Sequence, residues 1–200
     1  MFIPAASVLS SSWSHDKFKV AATAAFVGAL LPDASLFAMF AIAKAQGVTA
    51  EVIFSEWYYS DYWQGLGAIT NSIPVYAALT LVAWLLQRSI TNISSNLKRW
   101  IQACLVIGLA ALIHTLTDLP LHHDDGHPHF WPFSNWVFES PVSYWDPAHF
   151  GAQWTIIEFL VAGILIVFLW RRYANRLARV GLILAAISYA AMTLFWLSVF

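Results

Sequence analysis

The sequence predicts an all-α, polytopic membrane helix bundle of about five transmembrane helices, capped by an aromatic, His-rich outer loop. Three observations lead there. Of 200 residues 60% are hydrophobic and only 10% charged, against roughly 25% charged in a soluble domain. Mean hydropathy is +0.64. The apolar residues gather in stretches close to the ~20 residues that cross a bilayer.

Those stretches are taken in chain order. The first, Val20 to Ala43, is interrupted by Pro32 and Asp33. The second, Leu66 to Gln87, carries Asn71 and Pro74 near its start. The third, Trp100 to Leu121, carries His114 and Asp118; the fourth, Gln153 to Trp170, carries Glu158; the fifth is Val180 to Phe200. Residues 1–200 read as a single integral membrane domain, and Met1 to Ser12 has no basic residue ahead of its apolar part, so it is not expected to be a cleaved leader. The one cysteine, Cys104, excludes an internal disulfide and a Cys-based zinc motif.

Charge orients the bundle. Lys17 and Lys19 precede the first span, Arg88, Lys98 and Arg99 fill the second connection, and Arg171, Arg172, Arg176 and Arg179 the fourth. With five spans all fall on one side, which the positive-inside rule makes cytoplasmic, with the N-terminus. The other side carries the acids and two aromatic loops, Gln46 to Gly65 and His122 to Ala152. Trp57, Tyr58, Tyr59, Tyr62 and Trp63 in one, and Phe130, Trp131, Phe133, Trp136, Phe138, Tyr144 and Trp145 in the other, read first as an interfacial belt. Net charge is −1, which gives no footprint for nucleic acid. The expected location is a bacterial inner membrane with the polar site on the periplasmic side.

Ionisable groups inside a span are costly and point to function. At 1.5 Å per residue, Asp33, Asn71, His114, Asp118 and Glu158 reach one depth on four helices. His114 and Asp118, four apart, share a helix face, so both could ligate one ion, or Asp118 could orient the imidazole. Beyond them His122 to His129 holds four His and two Asp in eight residues. Imidazole with carboxylate suits a divalent metal ion, zinc before manganese or iron, and these better than calcium or magnesium. The candidate ligands are Asp33, His114, Asp118, His122, His123, Asp124, His127 and His129. The candidate catalytic carboxylates are Asp118, Asp125 and Glu158, with Asp124 as a further possible base. Asn71, Trp131, Trp145 and His149 are the candidates to contact a substrate. A metal with an open position acidifies water beside such a base, which fits hydrolysis of an ester or phosphoester of a lipid or envelope metabolite. The competing expectations are a metal-binding or transport component, and an assembly protein whose polar residues are interhelical glue. The inner halves of the third and fourth spans are apolar, which speaks against transport.

The pieces Gly28-Ala29-Leu30-Leu31-Pro32-Asp33 and His114-x-x-x-Asp118, then the run from His122 through Phe130-Trp131-Pro132-Phe133-Ser134 to Asp146, resemble the YdjM-like family of small bacterial membrane proteins regarded as metal-dependent hydrolases. The long run is similar to a proteobacterial subgroup, some of whose members carry a cobalamin-biosynthesis label that nothing in this sequence supports. The resemblance extends over nearly the whole chain. It points to the same candidate site residues. The sequence departs from the family pattern at Ser7, where a His is usual, and at Thr70-Asn71-Ser72, where the family has a Thr-His-Ser-like element.

Overall fold

The computed structural model describes residues 15–90, 94–144, 146–173 and 176–199. All of its regular elements are helical. They are α1 (His15–Leu30), α2 (Ala34–Ala45), α3 (Asp61–Thr70), α4 (Ile73–Ser89), α5 (Ser95–Asp118), α6 (Gly151–Arg172) and α7 (Arg176–Val199), with short helical turns between α2 and α3, after α5 and before α6.

Among the described residues, three helical stretches are long and apolar enough to cross a membrane: Asp61–Ser89, Ser95–Leu121 and Gly151–Arg172. The first expected span differs from the prediction. The first is two helices, Val20–Leu30 and Ala34–Ala45, bent by 66°, which make a fourth span only if counted together. The physical cause is Pro32, which has no N–H to continue the ladder. The fifth expected span falls on α7, a helix of 24 residues from Arg176 to Val199.

The central helix is α5, with α1 on one side and α4 on the other. Small residues let the backbones close in, as in membrane packing generally. Ala24 and Ala25 of α1 bury against Ala103, Val106 and Ala110 of α5. A Cβ on Gly28 would stand 2.4 Å from the carbonyl oxygen of Ile107, and one on Gly108 would stand 2.5 Å from Thr80 Oγ1. Side chains at those two places would push α1 and α4 off α5. A second cluster joins α6 to α7 through Leu169 and Leu182. A third, Met39, Ala43 and Ile53 with Trp57, Tyr58 and Trp63 around them, holds α2 to the first aromatic loop. Many outward-facing side chains are apolar, for example Leu160 on α6 and Leu184 on α7, as suits a lipid-facing surface.

The two breaks sit side by side. α3 ends at Thr70 and the chain restarts at Ile73, where Ser72 accepts from the Val75 N–H and Pro74 fills the first turn. Backbone groups freed at such breaks need partners inside a membrane. Asn71, buried, supplies one. Its Nδ2 donates to the carbonyl of Pro32 at 3.2 Å and to that of Gly67 at 3.1 Å. Ser35 and Thr70 add a hydroxyl pair at 2.9 Å between α2 and α3. At the far ends of the helices, Arg88 lies over Trp84 and Arg179 over Trp170, so the basic groups gather away from the breaks.

Candidate functional site

The last two turns of α5 bring His114 and Asp118 level with the break at Asp33. Pro120 then forces a tighter turn, Leu119–Leu121, and the chain leaves the helix at His122. The loop folds back over the helix end. Its closure is fixed by Ser140 N–H to the His122 carbonyl at 2.9 Å and Tyr144 N–H to the Leu121 carbonyl at 3.1 Å.

Asp33 occupies the N-cap position of α2, yet its side chain makes no capping hydrogen bond. Its Oδ1 instead faces Nε2 of His114 at 3.6 Å. Nδ1 of His114 lies 2.7 Å from the carbonyl oxygen of Ala29. A carbonyl only accepts, so Nδ1 carries the proton and Nε2 of the neutral ring is a bare lone pair. That nitrogen is buried without a hydrogen-bond partner. Two acceptors therefore face each other, at a distance too long for a hydrogen bond.

The i,i+4 pairing at the end of α5 differs from the sequence expectation. Asp118 pairs forward with His122, Oδ2 to Nε2 at 2.9 Å, rather than back with His114. The other nitrogen of His122 stands 2.9 Å from Asp125 Oδ1, at ion-pair distance though outside hydrogen-bond geometry. Burial alone disfavours the charged ring, but the carboxylates of Asp118 and Asp125 outweigh it and push His122 up to about 10. His122 is thus an imidazolium clamped between two acids, with the ring of Tyr144 edge-on to it at 5.3 Å.

His127 behaves oppositely. Burial, then the nearby His122 and His129, push it down to about 4. The Tyr58 hydroxyl donates to the Asp125 carbonyl at 2.6 Å and lies 3.3 Å from His127 Nε2. With its own proton committed, that hydroxyl can only accept, so Nε2 of His127 carries the ring proton. Nδ1 is then bare and buried without a partner; a Cβ on Gly67 would stand 2.9 Å from it. His129 is 2% exposed, and neither of its ring nitrogens has a partner. Burial, opposed by Asp118, holds it below the usual imidazole range. Burial likewise raises Tyr58 and Tyr144 above the ordinary phenol range.

Asp33, His114, Asp118, His122, Asp125, His127 and His129 thus form one group, close enough to act on one another electrostatically. The other candidates lie apart. His123 donates Nδ1–H to the Ser140 carbonyl at 2.7 Å, and its ring stacks on His149 at 3.6 Å. His149 in turn is 2.6 Å from Asp146, whose carboxyl this hydrogen bond lowers. Asp124 and Glu158 are exposed, Glu158 on the surface of α6. Asn71 braces the two breaks. Trp131 is half-buried and its carbonyl accepts from Ser72. Trp145 lies outside the described residues. Tyr58 and the Ala29 carbonyl were not singled out from sequence; Tyr58 was one ring among many in an aromatic run, and nothing local marks it.

Would a metal ion fit here? The donor chemistry does: bare, buried imidazole nitrogens beside carboxylates, with His114 held from behind by a carbonyl as ligating histidines are. Two ligands ~2.1 Å from a tetrahedral ion stand roughly 3.4 Å apart, near the 3.6 Å between Asp33 and His114. As the side chains stand, however, among the described residues no three His, Cys, Asp or Glu groups surround a common point.

A family model described as YdjM inner membrane protein matches residues 2–198, and the chain belongs to that family. No curated protein and no solved structure matches it.

Proposed function

We propose that this YdjM-family inner membrane protein is a membrane-bound metal-dependent hydrolase, acting on an ester or phosphoester of a lipid or envelope metabolite at the periplasmic face. The observation that carries the reading is His114. Its Nδ1 is committed to Ala29, and its bare, buried Nε2 faces the Asp33 carboxylate across 3.6 Å. Two acceptors so placed repel unless a cation lies between them, and a proton or a divalent metal is that cation.

Asp33 and His114 would be the first ligands in this reading, with His129 the donor available to complete the set. Zinc, manganese or iron matches such ligands. When bound, the ion supplies Lewis acidity to a water molecule and to the ester oxygen. Asp118, hydrogen-bonded to His122 at 2.9 Å, is then the base that takes the proton of the attacking water. His122 stabilises that carboxylate, and Asp125 holds His122 from its other side. Glu158, exposed on α6, is a third carboxylate, near enough for the Asp118 charge to act on it. The basic groups at the opposite helix ends support a cytoplasmic N-terminus by the positive-inside rule.

The test is elemental analysis of detergent-purified protein after reconstitution with zinc, manganese or iron, alongside His114→Ala and Asp33→Ala. Stoichiometric metal in the parent and its loss in both variants is the expected result, with chelator-sensitive cleavage of a chromogenic ester or phosphoester. Metal-free parent protein after reconstitution overturns the reading.

One observation favours a second reading, a non-catalytic assembly protein. Asp118, His122 and Asp125 pair directly with one another. In that case chelator leaves the melting temperature unchanged, and Asp118→Ala lowers it in the same measure with and without metal.

A further inference from the structure

The run from Phe130 to Phe138 takes no part in the buried cluster, yet its side chains are conspicuously bare. Phe133 is 83% exposed, Trp136 56% and Val137 40%. The run contains no charge; its only polar side chains are Ser134 and Asn135. Phe130, Trp136 and Phe138 pack in sequence as tilted rings, with centroids 5.8 and 5.9 Å apart, so they form a continuous ridge.

The base of this ridge is fixed to a membrane-spanning helix. The His129 carbonyl accepts from the Ile73 N–H at 2.9 Å, and the Trp131 carbonyl accepts from the Ser72 hydroxyl. Both donors stand at the start of α4. α4 is the later part of the membrane-crossing stretch Asp61–Ser89, whose 29 residues measure about 44 Å at 1.5 Å each, more than the ~30 Å of bilayer hydrocarbon. The surplus of roughly 14 Å is less than the ~18 Å from Asp61 to Ile73, so the first turn of α4 lies at or within the edge of the hydrocarbon, and a loop hung from it by two carbonyls lies beside it. Exposed Phe and Trp at that level suit lipid and not water.

We propose that the segment Phe130–Phe138 is a lipid-inserted rim, its aromatic ridge buried in the leaflet that adjoins the start of α4. The occupant is membrane lipid. The absence of charge removes the penalty for entering it, and the exposed apolar surface of α4 continues the same face through Val75. His127 and His129 immediately precede the ridge, so a molecule reaching them past this rim comes from the lipid phase. The inference does not depend on a metal.

The experiment places a nitroxide on Phe133→Cys and, separately, on Asn135→Cys, each in a Cys104→Ser background and in lipid vesicles. Both positions are exposed, so the label displaces no packed side chain. Oxygen collides with the label more often than a water-soluble nickel chelate does, at both positions, if the rim is in lipid. The opposite ratio places the segment in water and overturns the proposal. Exclusion of both reagents overturns it too, because the ridge is then covered by protein, a second copy or another partner.

Discussion

Asp33 faces the Nε2 nitrogen of His114 across 3.6 Å, joining the break between α1 and α2 to the last turns of α5. An amide at that position can donate where a carboxylate cannot. Asp33→Asn is therefore expected to stabilise the metal-free protein by about 0.5–1.5 kcal/mol, the worth of one added hydrogen bond, while weakening metal uptake. Thermal melts without metal, beside metal titrations, give both signs; a variant that loses stability without metal contradicts the assigned tautomer.

The His122 imidazolium is held between Asp118 and Asp125, so its loss uncovers buried charge. His122→Ala should cost roughly 3–5 kcal/mol, the scale for breaking one side of a buried ion pair. Chemical unfolding in detergent measures it, and a loss under 1 kcal/mol shows the pair to be solvated.

The same residues set an alkaline limit for the metal-free protein. His122 has a folded pKa raised to about 10 from an unfolded value near 6.5. Its stabilisation is complete below that lower value and is lost as pH rises toward the upper one. His127, lowered to about 4, works in reverse: stability falls as pH drops from about 6.5 to 4, where the buried ring must charge. Melting temperatures across both windows check this. The alkaline decline should vanish in His122→Ala, and the acidic one should diminish in His127→Ala.

Gly67 leaves the space that His127 fills. Gly67→Ala sets a methyl 2.9 Å from His127 Nδ1 and should cost about 1–3 kcal/mol through overpacking. Because the clash is with one ring, Gly67→Ala made in a His127→Ala background should cost far less. Additive losses in that double-mutant cycle point to a backbone cause instead.

Asn71 joins both helix breaks through one amide. Asn71→Asp turns a donor into an acceptor facing the Pro32 carbonyl, so it should destabilise more than Asn71→Ala, which itself costs roughly 1–3 kcal/mol by leaving buried carbonyls unpaired. Denaturation of the two variants side by side reads the order.

By itself the sequence determined the medium and the residue supply. Charge depletion and apolar stretches require a bilayer. Pro32 and Pro120 mark where helices must end, and the costly polar groups Asp33, His114 and Asp118 fall at one level by counting residues. These follow from local properties: backbone hydrogen bonding, helix rise and transfer free energy. Partner choice among those groups came only from the tertiary structure. Spacing allowed His114 to pair with Asp118, but the 66° break brings Asp33 to His114 and leaves Asp118 to His122. Which His of the loop go inward was equally hidden, since His127 and His129 are held by Tyr58 and Ile73, some 50 to 70 residues earlier in the chain. A hydrogen bond depends on a few ångströms and an angle, and these depend on how distant segments pack, which no local pattern of residues encodes.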